Sequence, residues 1–188
     1  MKHILILLTA IFIIGGCVAL GQKTVNLDET EYYAQYSFFY KAGMHSSANF
    51  REGNLIPINT RIKIRSTGGH SITGGEAFEI VTSDGRHKIV VSHDPEKSGM
   101  TLDEYKNRLL STNRVDLSGY NEQVQDFIRN GEGAIGMSKD MLVKAIGYPP
   151  ADLTPDMNAE SWIYRLNLLQ KTYVTFDRFD NVQDIFHK

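Results

Sequence analysis

The spacing of apolar residues changes period twice along the chain, from two to about 3.6 and back to two, and this ordering limits the architectures open to it. Between Tyr32 and about Glu96, short β-branched and aromatic runs alternate with turn residues. Ser37-Phe38-Phe39-Tyr40 precedes Lys41-Ala42-Gly43, and Asn54 to Thr60 leads into Thr60-Arg61-Ile62-Lys63-Ile64-Arg65. Gly68-Gly69 and Gly74-Gly75 bracket a loop, Ala77 to Thr82 reads as a strand, Ser83-Asp84-Gly85 as a hairpin turn and Lys88 to Ser92 as the return. That spacing predicts a small antiparallel β-barrel over 32–97. Beyond it, Thr101 and Glu104 are placed as a capping box and Met100 and Tyr105 as a hydrophobic staple, starting a helix from Leu102 to about Leu110. Tyr120, Val124, Phe127 and Ile128 repeat at helical spacing before Gly131, and Ser138 opens a third helix that Gly147 closes. Ser161 to Leu166, Lys171 to Asp177 and Val182 to Phe186 then read as a three-stranded antiparallel meander. The expected class is therefore α+β: a small barrel, followed over 98–188 by helices packed on a meander.

The strongly apolar run lies ahead of all this. Met1-Lys2-His3 gives a positive start, and Ile4 to Ile14 is interrupted only by Thr9 and Ala10. A helix of that length rises only about 16 Å, roughly half a bilayer core, so the segment reads as a signal peptide over 1–16 and not as a permanent span. Ile14-Gly15-Gly16-Cys17 resembles the lipobox of bacterial lipoproteins, in which an aliphatic residue and two small residues precede an obligatory Cys. The resemblance implies cleavage before Cys17, transfer of diacylglycerol to its thiol and acylation, for example with palmitate. Residues 17–31 would then be a lipidated tether, since more than one acyl chain on a residue anchors stably. Without the lipid, the same segment would be an ordinary secretory signal or a buried apolar helix. Val18 stands where the inner-membrane retention pattern has Asp, so resemblance to Gram-negative lipoproteins points to the outer membrane, facing the periplasm.

Composition narrows the partners. Cys17 is the single cysteine, which excludes a disulfide framework. The formal net charge of −2, with signs interspersed, offers no basic field to neutralise phosphates, so nucleic acid is not an expected partner.

Gly136-Met137-Ser138-Lys139-Asp140-Met141-Leu142, the exit Gly147-Tyr148-Pro149, the strand Trp162-Ile163-Tyr164 and Phe176-Asp177 leading to Val182-Gln183-Asp184-Ile185 together resemble the SmpA/OmlA (BamE-like) family of outer-membrane lipoproteins. The resemblance covers about Tyr120 to Ile185. It implies a non-enzymatic accessory or scaffold role in outer-membrane protein assembly or envelope integrity, through contacts with other envelope proteins. Each residue also has a local reason to be there: Ser138 caps, Gly147 takes a left-handed turn, Pro149 stops the helix, and Trp162 and Tyr164 share a strand face. The loop from Ala151 to Glu160 and the β-rich segment before the helices lie outside the family pattern. The segment Leu55 to Ile64 has only a faint likeness to the second strand of bacterial Src-homology-type barrels.

No Gly-x-Ser-x-Gly elbow, His-Glu-x-x-His, phosphate loop or dinucleotide glycine cluster occurs, so no catalytic residue, metal ligand or cofactor is expected. His87 and His93 read as solvent-exposed, too far apart along one strand to share a metal, and His45 has no acidic partner at an informative spacing. Arg61, Lys63 and Arg65 alternate on one side of a strand, either as a solvated face or as a stripe for an acidic partner or anionic lipid. Tyr148, Pro149, Trp162 and Tyr164 are the aromatic and helix-exit positions that would contact a partner protein, if not buried. Two other roles remain open on this reading. One is a cell-wall (peptidoglycan) or peptide binding module using Tyr36, Phe38, Tyr40 and Phe50. The other is a periplasmic enzyme inhibitor on the same fold.

Overall fold

A computed structural model describes residues 29–70 and 75–188. The apolar leader with Ile14, Gly15, Gly16 and Cys17, most of the tether and the centre of the glycine-bracketed loop lie outside the described residues. In chain order the elements are β1 (Tyr32–Ala34), β2 (Phe38–Tyr40), β3 (Met44–Ser46), β4 (Asn54–Ile56), β5 (Arg61–His70), β6 (Glu76–Thr82) and β7 (Lys88–Ser92). Then follow α1 (Pro95–Ser98), α2 (Leu102–Leu109), β8 (Leu110–Ser111), α3 (Glu122–Arg129), α4 (Lys139–Ile146), β9 (Ser161–Arg165), β10 (Lys171–Phe176) and β11 (Val182–His187). The protein is mixed α+β.

The first sheet, in the order β3-β7-β6-β5-β1-β8, curls into a half barrel and does not close. Nor is it wholly antiparallel, because β3 runs parallel to β7, with Met44 opposite Val90 and Ser46 opposite Ser92. The expected closed antiparallel barrel is corrected on both counts, and backbone turns explain why. Ala42 and Gly43 both have positive φ and reverse the chain between β2 and β3. Asn59 sits at φ +64 in a turn closed by Thr60 N–H donating to the Pro57 carbonyl, 3.1 Å. That turn cuts the expected continuous run from Asn54 to Arg65 into β4 and β5, and β4 pairs with β2 in a small sheet of its own. Apolar side chains from Ala34, Phe38, Ile56, Ile62, Phe78, Ile80 and Val91 fill the concave side. Helix α2 closes it with Tyr105 and Leu109, and β8 extends the sheet beside β1, so the chain leaves this core only after Ser111.

Helix α2 has the anticipated capping box: Thr101 N–H donates to Glu104 Oε2 at 2.8 Å, and Glu104 N–H to Thr101 Oγ1 at 3.3 Å. Helix α1 went unread in the sequence although Asp94-Pro95 is an N-cap followed by a proline in the first turn. The second core holds α3 and α4 against the meander β11-β10-β9. Ile128, Leu142, Ala145 and Ile146 meet Trp162, Tyr164, Val174, Phe176 and Val182 there. Asn121 and Ser138 cap α3 and α4 through side-chain oxygens that accept from the N–H groups of Val124 and Met141. The period-two pattern of the meander works as the sequence suggests, with Thr172, Val174 and Phe176 turned to the helices.

Candidate functional site: a groove along a two-faced strip

The stretch from Met44 to Glu52 sorts its side chains by parity. His45, Ser47, Asn49 and Arg51 turn inward, whereas Met44, Ser46, Ala48, Phe50 and Glu52 line a groove of about 700 Å³. Extended backbone puts successive side chains on opposite sides, and this strip keeps that alternation through the turn at Asn49, whose φ is +50.

The inward residues are tied down by hydrogen bonds, His45 and Ser47 within the first core and Asn49 and Arg51 across to the helices of the second. His45 Nδ1 lies 2.7 Å from the Phe39 carbonyl oxygen, which can only accept, so Nδ1 carries the proton and Nε2 accepts from the Tyr105 hydroxyl at 2.8 Å. Tyr36 is hydrogen-bonded to Tyr105 in turn. Burial holds His45 neutral, lowering its pKa to about 4, and pushes the Tyr36 hydroxyl up to about 12. Ser47 Oγ accepts from Asp94 N–H at 2.8 Å. Asn49 Nδ2 donates to two carbonyl oxygens at the end of α4, Ile146 at 2.9 Å and Tyr148 at 2.8 Å. Arg51 Nη2 donates to the Gly131 carbonyl just past α3, at 2.6 Å. From the preceding segment, Ser37 Oγ donates to the Ile128 carbonyl at 2.6 Å and accepts from Ile58 N–H at 2.9 Å. Three side chains of the β-rich half thus donate to carbonyls at or just past the ends of α3 and α4.

On the outward side, Phe39, Tyr40, Met44, Ala48 and Phe50 give the groove an apolar lining, to which Leu168 from the β9–β10 hairpin adds. Its charged residues come in pairs. Lys41 Nζ donates to Glu52 Oε2 at 2.9 Å, Lys97 pairs with Asp94, and Arg165 Nη1 donates to Asp152 Oδ1 at 3.0 Å. Leu168, 85% exposed, is an apolar point at the mouth of the groove, and its neighbour Leu169, 93% exposed, lies outside the lining. Beside them, on the outer face of the meander, Ile163, Tyr173 and Phe186 form one cross-strand row, with the Tyr173 and Phe186 rings stacked at 5.3 Å.

His93, at one end of the groove, is buried, not exposed as its sequence context suggests, because β7 delivers it against α1 and Tyr105. Its Nε2 lies 3.0 Å from Ser98 Oγ, and Glu76 Oε2 stands 3.9 Å from Nδ1, the order of groups in a nucleophilic triad. The tautomer opposes that chemistry. Nε2 is also 3.0 Å from the Met100 carbonyl oxygen, so it carries the proton and cannot take one from Ser98. His45 is likewise buried, and His87 Nδ1 is bonded to the Tyr40 hydroxyl at 2.6 Å. Among the described residues, no three His, Cys, Asp or Glu side chains converge as metal ligands would.

The residues singled out in the sequence fall in separate places. Arg61, Lys63 and Arg65 lie along β5, where Glu31 reaches Arg61 at 3.7 Å and Glu29 reaches Lys63 at 3.3 Å. The segment just before β1 therefore covers part of the basic stripe with its own carboxylates. Trp162 and Tyr164 are fully buried, Trp162 edge-on to Phe176 and the Tyr164 hydroxyl donating to the Gly147 carbonyl at 3.2 Å. They offer no contact surface; alternation along β9 turns them to the helices. Pro149 is buried too, and Tyr148 is half-buried beneath the Arg108 guanidinium, 4.3 Å from its ring. Of the aromatics considered for a glycan platform, Tyr36 and Phe38 are core residues, while Tyr40 and Phe50 line the groove. Sequence reasoning missed the groove itself. Its one legible signal was the alternation of polar His45, Ser47, Asn49 and Arg51 with Met44, Ala48 and Phe50.

No family model, curated protein or solved structure matches this chain. The functional reading therefore rests on the sequence motifs and on this geometry.

Proposed function

We propose that the chain is a lipid-anchored protein of the outer membrane, held at Cys17 and facing the periplasm, that acts without catalysis as a docking or scaffold subunit for envelope proteins. The observation that carries the docking half of the reading is the groove, with an apolar wall, an apolar tip at Leu168 and charges already paired. It runs along β3, whereas the tether enters at β1, and β7, β6 and β5 lie between them in the sheet. An anchored chain can thus offer the groove without the tether lying across it. Confinement to a leaflet raises its effective concentration near other anchored partners.

The anchoring half rests on Ile14-Gly15-Gly16-Cys17. Membership of the SmpA/OmlA (BamE-like) family is part of the same proposal. It is supported by α3 and α4 packing on a three-stranded antiparallel meander, by the Ser138 cap and by the Gly147 exit at φ +76. The half barrel ahead of it is an addition to that pattern.

Metabolic labelling with a palmitate analogue, followed by membrane fractionation, tests the anchor. The unsubstituted chain should carry label and fractionate with outer membranes, and Cys17→Ala should lose both. A photoreactive side chain at position 168 should cross-link to an envelope protein in intact cells. Unlabelled Cys17 would sink the anchor, and absence of any cross-linked envelope protein would sink the scaffold role.

A further inference from the structure

The geometry of the groove points to its occupant: we propose that it takes an extended, uncharged polypeptide segment whose alternate side chains are apolar. This inference rests on reading the groove as the docking end of the protein. Two observations select the occupant. One is the period of the wall. Met44, Ser46, Ala48, Phe50 and Glu52 face the groove at every second residue, interleaving apolar with polar positions. An extended peptide laid along it presents side chains at the same period of two, with the groups between them turned to the polar positions or to solvent.

The other is charge complementarity. Lys41 is matched by Glu52, Lys97 by Asp94 and Arg165 by Asp152, so a cationic or anionic ligand would have to displace an existing partner to be recognised. An uncharged segment leaves these pairs intact and covers Phe39, Tyr40, Phe50 and Leu168. A volume of about 700 Å³ is within the usual range for a ligand cleft, roughly 300–1,000 Å³. A bare hydrocarbon chain fits less well, because it would take water from Ser46, Ser92 and the acid–base pairs without offering a hydrogen bond in return.

The test uses the full chain in mild detergent and a capped nonapeptide alternating valine and threonine, carrying a fluorophore, read by anisotropy against detergent alone. Saturable binding is expected, weakened at least tenfold by Leu168→Asp and little changed by Leu169→Asp, since Leu168 lines the groove and Leu169 does not. Both leucines are exposed, so both variants should fold, and equal melting temperatures verify it. A photoreactive version of the peptide should cross-link to Met44 or Phe50. Three results would overturn the proposal: no saturable binding, equal weakening by the two aspartates, or displacement of the peptide by a fluorescent fatty acid at lower concentration. The anisotropy readout does not depend on whether Cys17 is acylated, so this proposal and the anchor can fail independently.

Discussion

The Arg51 guanidinium donates through Nη2 to the carbonyl oxygen of Gly131, 2.6 Å away and eighty positions later in the chain. A cation from the half barrel thereby closes the negative end of α3. Burial pulls the Arg51 pKa below its ordinary value, and its Nε is buried without a hydrogen-bond partner. Arg51→Ala should destabilise the protein by about 2–4 kcal/mol in urea unfolding, from lost packing and an orphaned carbonyl. Arg51→Met should recover part of that loss, because it keeps volume and removes a desolvated charge. An alanine variant within about 0.5 kcal/mol of the parent would contradict the capping role.

Asn49 does for α4 what Arg51 does for α3, with two donated bonds in place of one. Asn49→Ala should cost about 1–3 kcal/mol, since two carbonyl oxygens lose a donor in a buried place. Asn49→Asp should be worse than alanine, as it aims a carboxylate at those oxygens. Thermal melts of the two variants give the order directly.

Gly131 also fixes how closely the cores approach. It sits at φ +68, and a Cβ there would lie 2.8 Å from Leu55 Cδ1 and 3.2 Å from Phe39 Cε2. Gly131→Ala should therefore lose about 1–3 kcal/mol through backbone strain and overpacking against the β2–β4 pair. If unfolding curves of parent and variant superimpose, the contact is looser than the geometry indicates.

The buried His45 predicts how stability depends on pH. Its folded pKa of about 4 lies below the ordinary histidine value of 6.5, so in the intervening window the unfolded chain binds the extra proton. Stability is fully present above pH 6.5 and falls as pH drops toward 4, by on the order of 3 kcal/mol over the window. His45→Gln should flatten the slope between those limits while lowering stability at neutral pH. Urea midpoints measured at half-unit pH steps would show it, and an equally steep slope in the variant would assign the effect to other groups.

The tether contacts should matter little to folding. Glu29 is 85% and the Arg61 side chain 63% exposed, and exposed pairs contribute about 0–1 kcal/mol. Glu29→Gln combined with Glu31→Gln should leave the melting temperature almost unchanged, because β1 is held to β5 and β8 by its backbone. A large drop would mean the tether is part of the fold.

Much of the local structure was legible. Thr101 with Glu104, Ser138 with Gly147, and the alternation of Trp162 with Tyr164 and of Thr172 with Val174 and Phe176 are short-range signals. Capping and strand parity depend on neighbours within a few residues. The half barrel was read less well. Whether Asn59 turns the chain or extends it, and whether β3 pairs parallel or antiparallel, depends on partners such as Val90 that lie far off in sequence. His93 looked exposed because a lone histidine after a strand carries no local sign of what packs over it.

By itself the sequence determined the α+β class, the caps of α2 and α4 and the inward face of the meander, and it carries the lipobox-like motif that ends at Cys17. Each is written within one turn, one strand or one short motif. Only the tertiary structure decided that His45, Ser47, Asn49 and Arg51 face inward while their alternate neighbours line a groove. Parity tells which residues share a side, but which side is buried depends on where the carbonyls of Ile146, Tyr148 and Gly131 come to rest.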